Sequence, residues 1–157
     1  MSYRQMAHLA FVLALSFLAG CTMAPIKSEW PLMGSNLSLK STDPSQAKML
    51  IFNNSSKLMF GSDNTGLINI KLNGKGAGSL DIGEYIQLQV LRGKHKLELV
   101  HRDLFDFGGF KSEHEIEITG DSIIIEIAAT PVSNKIQIHK EIPPDVPKFF
   151  FPYSPLK

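Results

Sequence analysis

Cysteine is nearly absent: Cys21 is the only one in 157 residues. That excludes an intramolecular disulfide and the several thiolates of a structural zinc or iron–sulfur site. Neither sign of charge is in excess, with Lys+Arg 16 against Asp+Glu 15. Without a concentrated basic face the chain is expected to bind no nucleic acid, since neutralising phosphates takes clustered Lys and Arg. No window of helical length keeps a helical apolar period, and no apolar run reaches the ~20 residues of a membrane-spanning helix. Two catalytic signatures are also missing, the Gly-x-Ser-x-Gly elbow and the His-Glu-x-x-His helix. The expectation is a non-enzyme with no catalytic residues, no metal and no dissociable cofactor.

What is present first is an N-terminal address. Arg4 and the free amine precede the apolar run Leu9 to Ala19, and small residues follow up to Cys21. This is the tripartite pattern of a secretory signal. Pro25 and Pro31 come soon after and disfavour a permanent membrane helix.

The phrase Leu18-Ala19-Gly20-Cys21 resembles the lipobox of bacterial lipoproteins. The resemblance implies cleavage between Gly20 and Cys21, a diacylglyceryl group on the Cys21 thiol and N-acylation of the new amine. Several acyl chains, at ~0.8 kcal/mol per buried methylene, anchor a protein stably where one does not. Thr22 stands where Asp would signal retention, so the resemblance further implies the outer membrane of a Gram-negative envelope. Cleavage leaves 137 residues with equal numbers of acidic and basic side chains, so attachment would rest on lipid rather than charge.

The mature chain divides by composition. Residues 21–46 hold Cys21, three Pro and many polar residues without an apolar period, and read as a lipidated, flexible tether. Trp30, Leu32 and Met33 within it have two readings, docking on the domain or dipping into the membrane interface. From residue 47 to 142, short alternating runs separated by Gly and Asn give an all-β pattern. Strands are expected at Lys48 to Phe52, Leu67 to Leu72, Tyr85 to Val90, Lys96 to Leu99, Glu113 to Thr119, Ser122 to Ala129 and Lys135 to Lys140. Asn73-Gly74 supplies the positive-φ pair of a tight hairpin, and Arg92-Gly93 a second turn. Tyr85, Gln87 and Gln89 are expected to face outward, opposite Ile86, Leu88 and Val90. Seven strands suggest a small antiparallel β-sandwich.

The order Ile70-Lys71-Leu72-Asn73-Gly74-Lys75, Gly78-Ser79-Leu80, Gly83-Glu84-Tyr85-Ile86, then Arg92-Gly93-Lys94-His95 is similar to the PEGA-like lipoprotein domains. Arg92 departs from the Pro usual there. The resemblance implies a small surface-exposed sandwich without known catalysis.

Other phrases carry less. His101-Arg102-Asp103-Leu104-Phe105-Asp106-Phe107-Gly108 contains two kinase phrases, but compressed into one loop where a kinase holds them far apart. It reads instead as a loop whose Phe105, Phe107 and Phe110 cap the core. Gly74-Lys75-Gly76-Ala77-Gly78 looks like a phosphate cradle, yet no helix follows it, so it reads as a hairpin loop. His95 and His101 lie on the inward face of one strand, too far apart along it to share a metal. A pairing of His95 with His114 across strands stays open beside a purely structural reading. Glu113, Glu115 and Glu117 form a solvated face.

The tail, residues 143–157, gathers five of the nine Pro with Phe149, Phe150, Phe151 and Tyr153. It either folds back along an open sheet edge or inserts into a partner, with those four aromatics as the contact. Together these features point to a lipid-anchored cell-envelope protein whose sandwich is a non-catalytic interaction or assembly module. Its expected partners are the membrane, through the lipid, and an envelope protein. A small-ligand or glycan-binding lipoprotein, using loops around Asp106 and Gly76, is the alternative. A hydrolase using His101 or Asp103 is the weakest reading.

Overall fold

A computed structural model describes residues 24–60, 66–102 and 109–155. Over these described residues the fold is all-β, a two-sheet sandwich of nine strands. In chain order they are β1 (Gln46–Asn53), β2 (Ile68–Leu72), β3 (Lys75–Leu80), β4 (Glu84–Leu91), β5 (Gly93–Arg102), β6 (Gly109–Ile118), β7 (Ser122–Thr130), β8 (Ser133–His139) and β9 (Phe151–Pro152). Two one-turn helices, α1 (Lys57–Phe60) and α2 (Val146–Phe149), sit in connections. Sheet A has the order β8-β7-β1-β4-β9, and sheet B the order β3-β2-β5-β6.

Alternation builds the inner core. Ile68, Ile70 and Leu72 of β2, Leu97 and Leu99 of β5, and Ile116 and Ile118 of β6 face Met49 and Ile51 of β1, Ile86, Leu88 and Val90 of β4, and Ile123, Ile125 and Ile127 of β7. The continuous runs Met49 to Phe52 and Ile123 to Ile125 have a second purpose. Leu50, Phe52, Tyr85 and Ile124 point away from sheet B into a second apolar layer with Val146, against which Leu37, Leu39, Ile142 and Phe150 pack. Strands buried on both faces read as unbroken apolar runs, which is what these two do.

The all-β sandwich is the one expected from sequence, and its strands differ from the expectation in three ways. Among the described residues the strands number nine rather than about seven, because β3 and β9 are added. Sheet A is mixed rather than antiparallel, since β1 runs parallel to β7, and β4 to β9. The parallel β1–β7 pair is joined through the whole of sheet B, the long crossover such pairs require. Finally, the glycine-rich stretch is not a loop beyond Asn73-Gly74. Those two residues make the turn, with φ of 53° and 79°, and Lys75–Leu80 is a bulged strand paired with β2.

Residues 24–45, expected as a flexible tether, lie on the domain instead. Glu29 N–H donates to Gly76 O (2.8 Å), Met33 N–H to Gln87 O (3.0 Å), and Leu32 bridges to Leu88. Trp30 packs on the inner core, so docking is the reading that holds for it. Tyr85 and Gln87, expected to face solvent, are buried beneath this segment. The Tyr85 hydroxyl donates to Ser35 O, and the Gln87 amide, turned nitrogen-inward, donates to Gly34 and Asn36 carbonyls.

Arg92 shows why its turn can do without proline. Its backbone N–H donates to Ser45 O and its guanidinium pairs with Asp121 at 2.5 Å. A proline, with no backbone N–H and no guanidinium, would lose both.

Candidate functional site

The end of the sandwich where β1 finishes is organised by one buried amide. Asn53, fully buried, donates from Nδ2 to Gly66 O and Leu80 O, while its Oδ1 accepts from Ser55 N–H and Oγ. Its backbone carbonyl accepts from Gly83 N–H, and Gly83 O in turn accepts from Phe151 N–H (2.9 Å for both). A buried asparagine that satisfies this many groups fixes loops that have no sheet ladder of their own. The β1–β2 connection, the β3–β4 turn and the C-terminal strand are thereby joined at one point.

The tail folds back along the open edge of sheet A, the first of its two readings. Tyr153 N–H donates to Tyr85 O at 2.7 Å. The four aromatics expected as a contact then separate into two pairs. Phe150 is docked, its ring edge-on to Phe52 with centroids 5.2 Å apart. Tyr153 is half-buried between the sheet edges, against Gly78 and Ile86. Phe149 and Phe151 remain 66% and 70% exposed. Both backbones are fixed, Phe149 N–H to Asp145 O and Phe151 N–H to Gly83 O, so these rings are held out to solvent on a rigid support.

Gly78 explains the glycines of β3. At φ +132°, a Cβ there would lie 3.0 Å from Ile86 and 3.3 Å from the Tyr153 ring. At Gly76 a Cβ would lie 2.7 Å from Lys27 O. Both glycines permit close approach of the terminal segments to an edge strand. Gly76, proposed on sequence as part of a ligand loop, is covered: its N–H donates to Glu29 Oε1.

Between the two terminal segments and the end of β3 lies a cleft of about 410 Å³. Pro25, Ile26, Leu67 and Tyr153 give it apolar walls, and Ser79, Asp81 and Glu84 polar ones. Glu84 is buried, and one of its carboxylate oxygens accepts from Asp81 N–H at 3.0 Å. Ser79 Oγ donates to Asn69 Oδ1 and accepts from Ile26 N–H. Burial pushes the Tyr153 phenol up, the Glu84 charge adds to this, and a backbone hydrogen bond at Ser28 opposes it.

The histidines have structural surroundings. His95 is buried, with Nδ1 facing the Asn73 amide (3.0 Å) and Nε2 facing Leu91 O (2.8 Å). The carbonyl can only accept, so Nε2 carries the proton and Nδ1 accepts from Asn73. His101, fully buried, places Nε2 3.0 Å from Thr130 O and stacks on Phe110 at 5.6 Å. Phe110 thus packs on His101 from strand β6 rather than from a loop. Phe105, Phe107, Asp103 and Asp106 lie outside the described residues, as do Gly20 and Cys21. Burial lowers the His114 pKa. Among the described residues no cluster of three His, Cys, Asp or Glu is gathered for a metal.

Glu113 belongs to a surface ladder rather than a bare acidic face. It pairs with Lys96 (2.6 Å) and Lys111 (2.8 Å), and Lys111 also reaches Glu98 (2.8 Å). Hydrogen bonds from Lys111, then Lys96, hold the Glu113 carboxyl down at about 2.

Comparison of the chain with protein-family models, with curated proteins and with solved structures found no match.

Sequence reasoning missed Asn53 as the organising residue and Glu84 as a buried acid. The signals were there: Asn53 closes an apolar strand before a long connection, and Glu84 follows a turn glycine.

Proposed function

We propose that this is a lipid-anchored protein of the cell envelope, cleaved after Gly20 and acylated on Cys21, in the outer membrane of a Gram-negative bacterium. Its β-sandwich is a non-catalytic interaction module, and Phe149 and Phe151 are its contact residues. One observation carries the contact assignment: both rings stand exposed on a backbone fixed to β4 and α2, while Val146 and Phe150 beside them are docked. Rigid exposed aromatics lose little entropy when covered, and aromatic anchors dominate contact energetics. The buried ionisable groups support the non-catalytic reading, since His95, His101 and Glu84 hold turns and loops together.

The test is fractionation of envelopes followed by site-specific photo-crosslinking from position 151. Wild type is expected in the membrane fraction after a salt wash, and Cys21→Ser in the soluble one. Crosslinks from position 151 to an envelope component are expected, and their absence would remove the contact assignment.

The cleft favours a second reading, a site for a small ligand with an apolar body and a polar group that meets Ser79 and Glu84. Saturable binding by the whole chain that is lost in Ser79→Ala would support it. A screen with no saturable ligand would count against it.

A further inference from the structure

We infer that the component covering Phe149 and Phe151 is the lipid surface itself, with the sandwich standing end-on on the bilayer. This rests on the acylation of Cys21 proposed above.

The link between anchor and domain is short. The chain is already bound to the domain at Ala24, whose carbonyl accepts from Asn69 Nδ2 at 3.0 Å. Ile26 N–H follows with a 2.7 Å bond to Ser79 Oγ. Three peptide steps separate Cys21 from Ala24, and at ~3.6 Å each they span at most about 11 Å. A free chain of 25 residues would have let the domain tumble well clear of the membrane. The docked segment removes that freedom.

The anchor and the exposed aromatics share one end of the domain. Asn69 pairs with Ser79, and Leu80 beside it accepts from Asn53. Asn53 receives Gly83, and Gly83 receives Phe151. The point where the anchor would leave the domain and the exposed aromatics are therefore at the same end of the sandwich. Leu58 of α1, 98% exposed, and Val132 in the β7–β8 turn, 72% exposed, are at that end as well.

Lys57 precedes Leu58, Lys148 precedes Phe149, and both lysines are exposed. Apolar and aromatic side chains flanked by lysine suit the headgroup layer, where rings sit at the interface and ammonium groups meet anionic lipid. The five- and six-residue strands β2 and β3 place Asn73-Gly74 roughly 17–20 Å higher, and the eight residues of β4 place Arg92-Gly93 roughly 25 Å higher.

Acylation of Cys21 would leave the mature chain without a free thiol, so single cysteines can be introduced and labelled. The mature protein carrying Leu58→Cys, Pro147→Cys or Lys75→Cys, each with a thiol-linked fluorophore, is reconstituted in vesicles of phosphatidylethanolamine and phosphatidylglycerol containing a headgroup nitroxide quencher. Quenching at positions 58 and 147 is expected to be several-fold stronger than at 75. It should fall at position 58 when Phe149→Ser and Phe151→Ser are added. Equal quenching at the three positions, or stronger quenching at 75, overturns the orientation.

The mass of the N-terminal peptide and vesicle flotation separate the two failures. An unacylated Cys21 refutes the anchor reading. An acylated protein that floats with an unquenched rim refutes this inference alone. A discrete protein adduct from a photo-crosslinker at position 151 in cells, together with an unquenched rim, assigns the surface to an envelope protein and overturns the lipid assignment.

Discussion

Sheet A and sheet B share one inner core and differ on their outer faces. The β5–β6 part of the outer face of sheet B meets water with Lys96, Glu98, Lys111 and Glu113 in a paired ladder, while Asn69 and Ser79 near its β3 edge lie under Ala24 and Ile26. The outer face of sheet A is roofed by the two terminal segments over Leu50, Phe52, Tyr85 and Ile124. The strands record the difference: β6 alternates strictly, whereas the central strand β1 is buried on both sides from Met49 onward. A run such as Met49 to Phe52 is thus a statement about a third layer, made by a strand remote in sequence from part of that layer.

The largest effect should come from removing that layer. A chain ending at Ile142 loses Val146, Phe150, β9 and Tyr153, and uncovers Phe52 and Tyr85. With each large apolar side chain contributing about 1.5–3 kcal/mol on burial, urea unfolding should show a loss of several kcal/mol or no cooperative transition. An unchanged midpoint would mean the roof is incidental.

Next comes a direct contrast of layers. Phe52→Ala, in the outer layer, should cost about 3–5 kcal/mol, comparable with about 2–5 kcal/mol for Leu88→Ala in the inner core. A cost near zero at Phe52 would reduce sheet A to a one-sided sheet. Gly78→Ala should cost about 1–3 kcal/mol, because it combines a left-handed φ with the approach of Tyr153. Thermal denaturation would measure it, and the loss should shrink when Tyr153→Ala is already present.

The smallest effect belongs to sheet B. The Glu113 carboxyl is held at about 2, below its ordinary 4.5. A depressed carboxyl contributes fully above the unfolded value and loses that contribution as pH falls through the folded one. Glu113→Gln should therefore flatten the stability profile between pH 4.5 and 2, and change little else, because an exposed pair is screened by solvent.

Much of this plan could be read from sequence. Alternation located β2, β4, β5, β6 and β8, and Asn73-Gly74 located its hairpin. The all-apolar runs located β1 and β7 but left open what lay on their second face. Glycine hides β3, because Gly76 and Gly78 have the composition of a turn but mark the approach of Lys27 and Tyr153. Two-residue β9 and the docking of residues 24–45 depend on pairing with distant edges, which no local period encodes. The parallel register of β1 on β7 is invisible for the same reason. Of the aromatic contact residues, the sequence supplied the cluster of four, and only packing could divide Phe150 and Tyr153 from Phe149 and Phe151.

Hydrogen exchange on the full chain tests most directly whether the terminal segments are part of the fold. The amides of Glu29, Met33, Phe151 and Tyr153, bonded to Gly76, Gln87, Gly83 and Tyr85, should exchange slowly, together with those of Ile86 and Leu88 in β4. Exchange of those four at free-peptide rates, with β4 still protected, would contradict the account and return residues 24–45 to a tether.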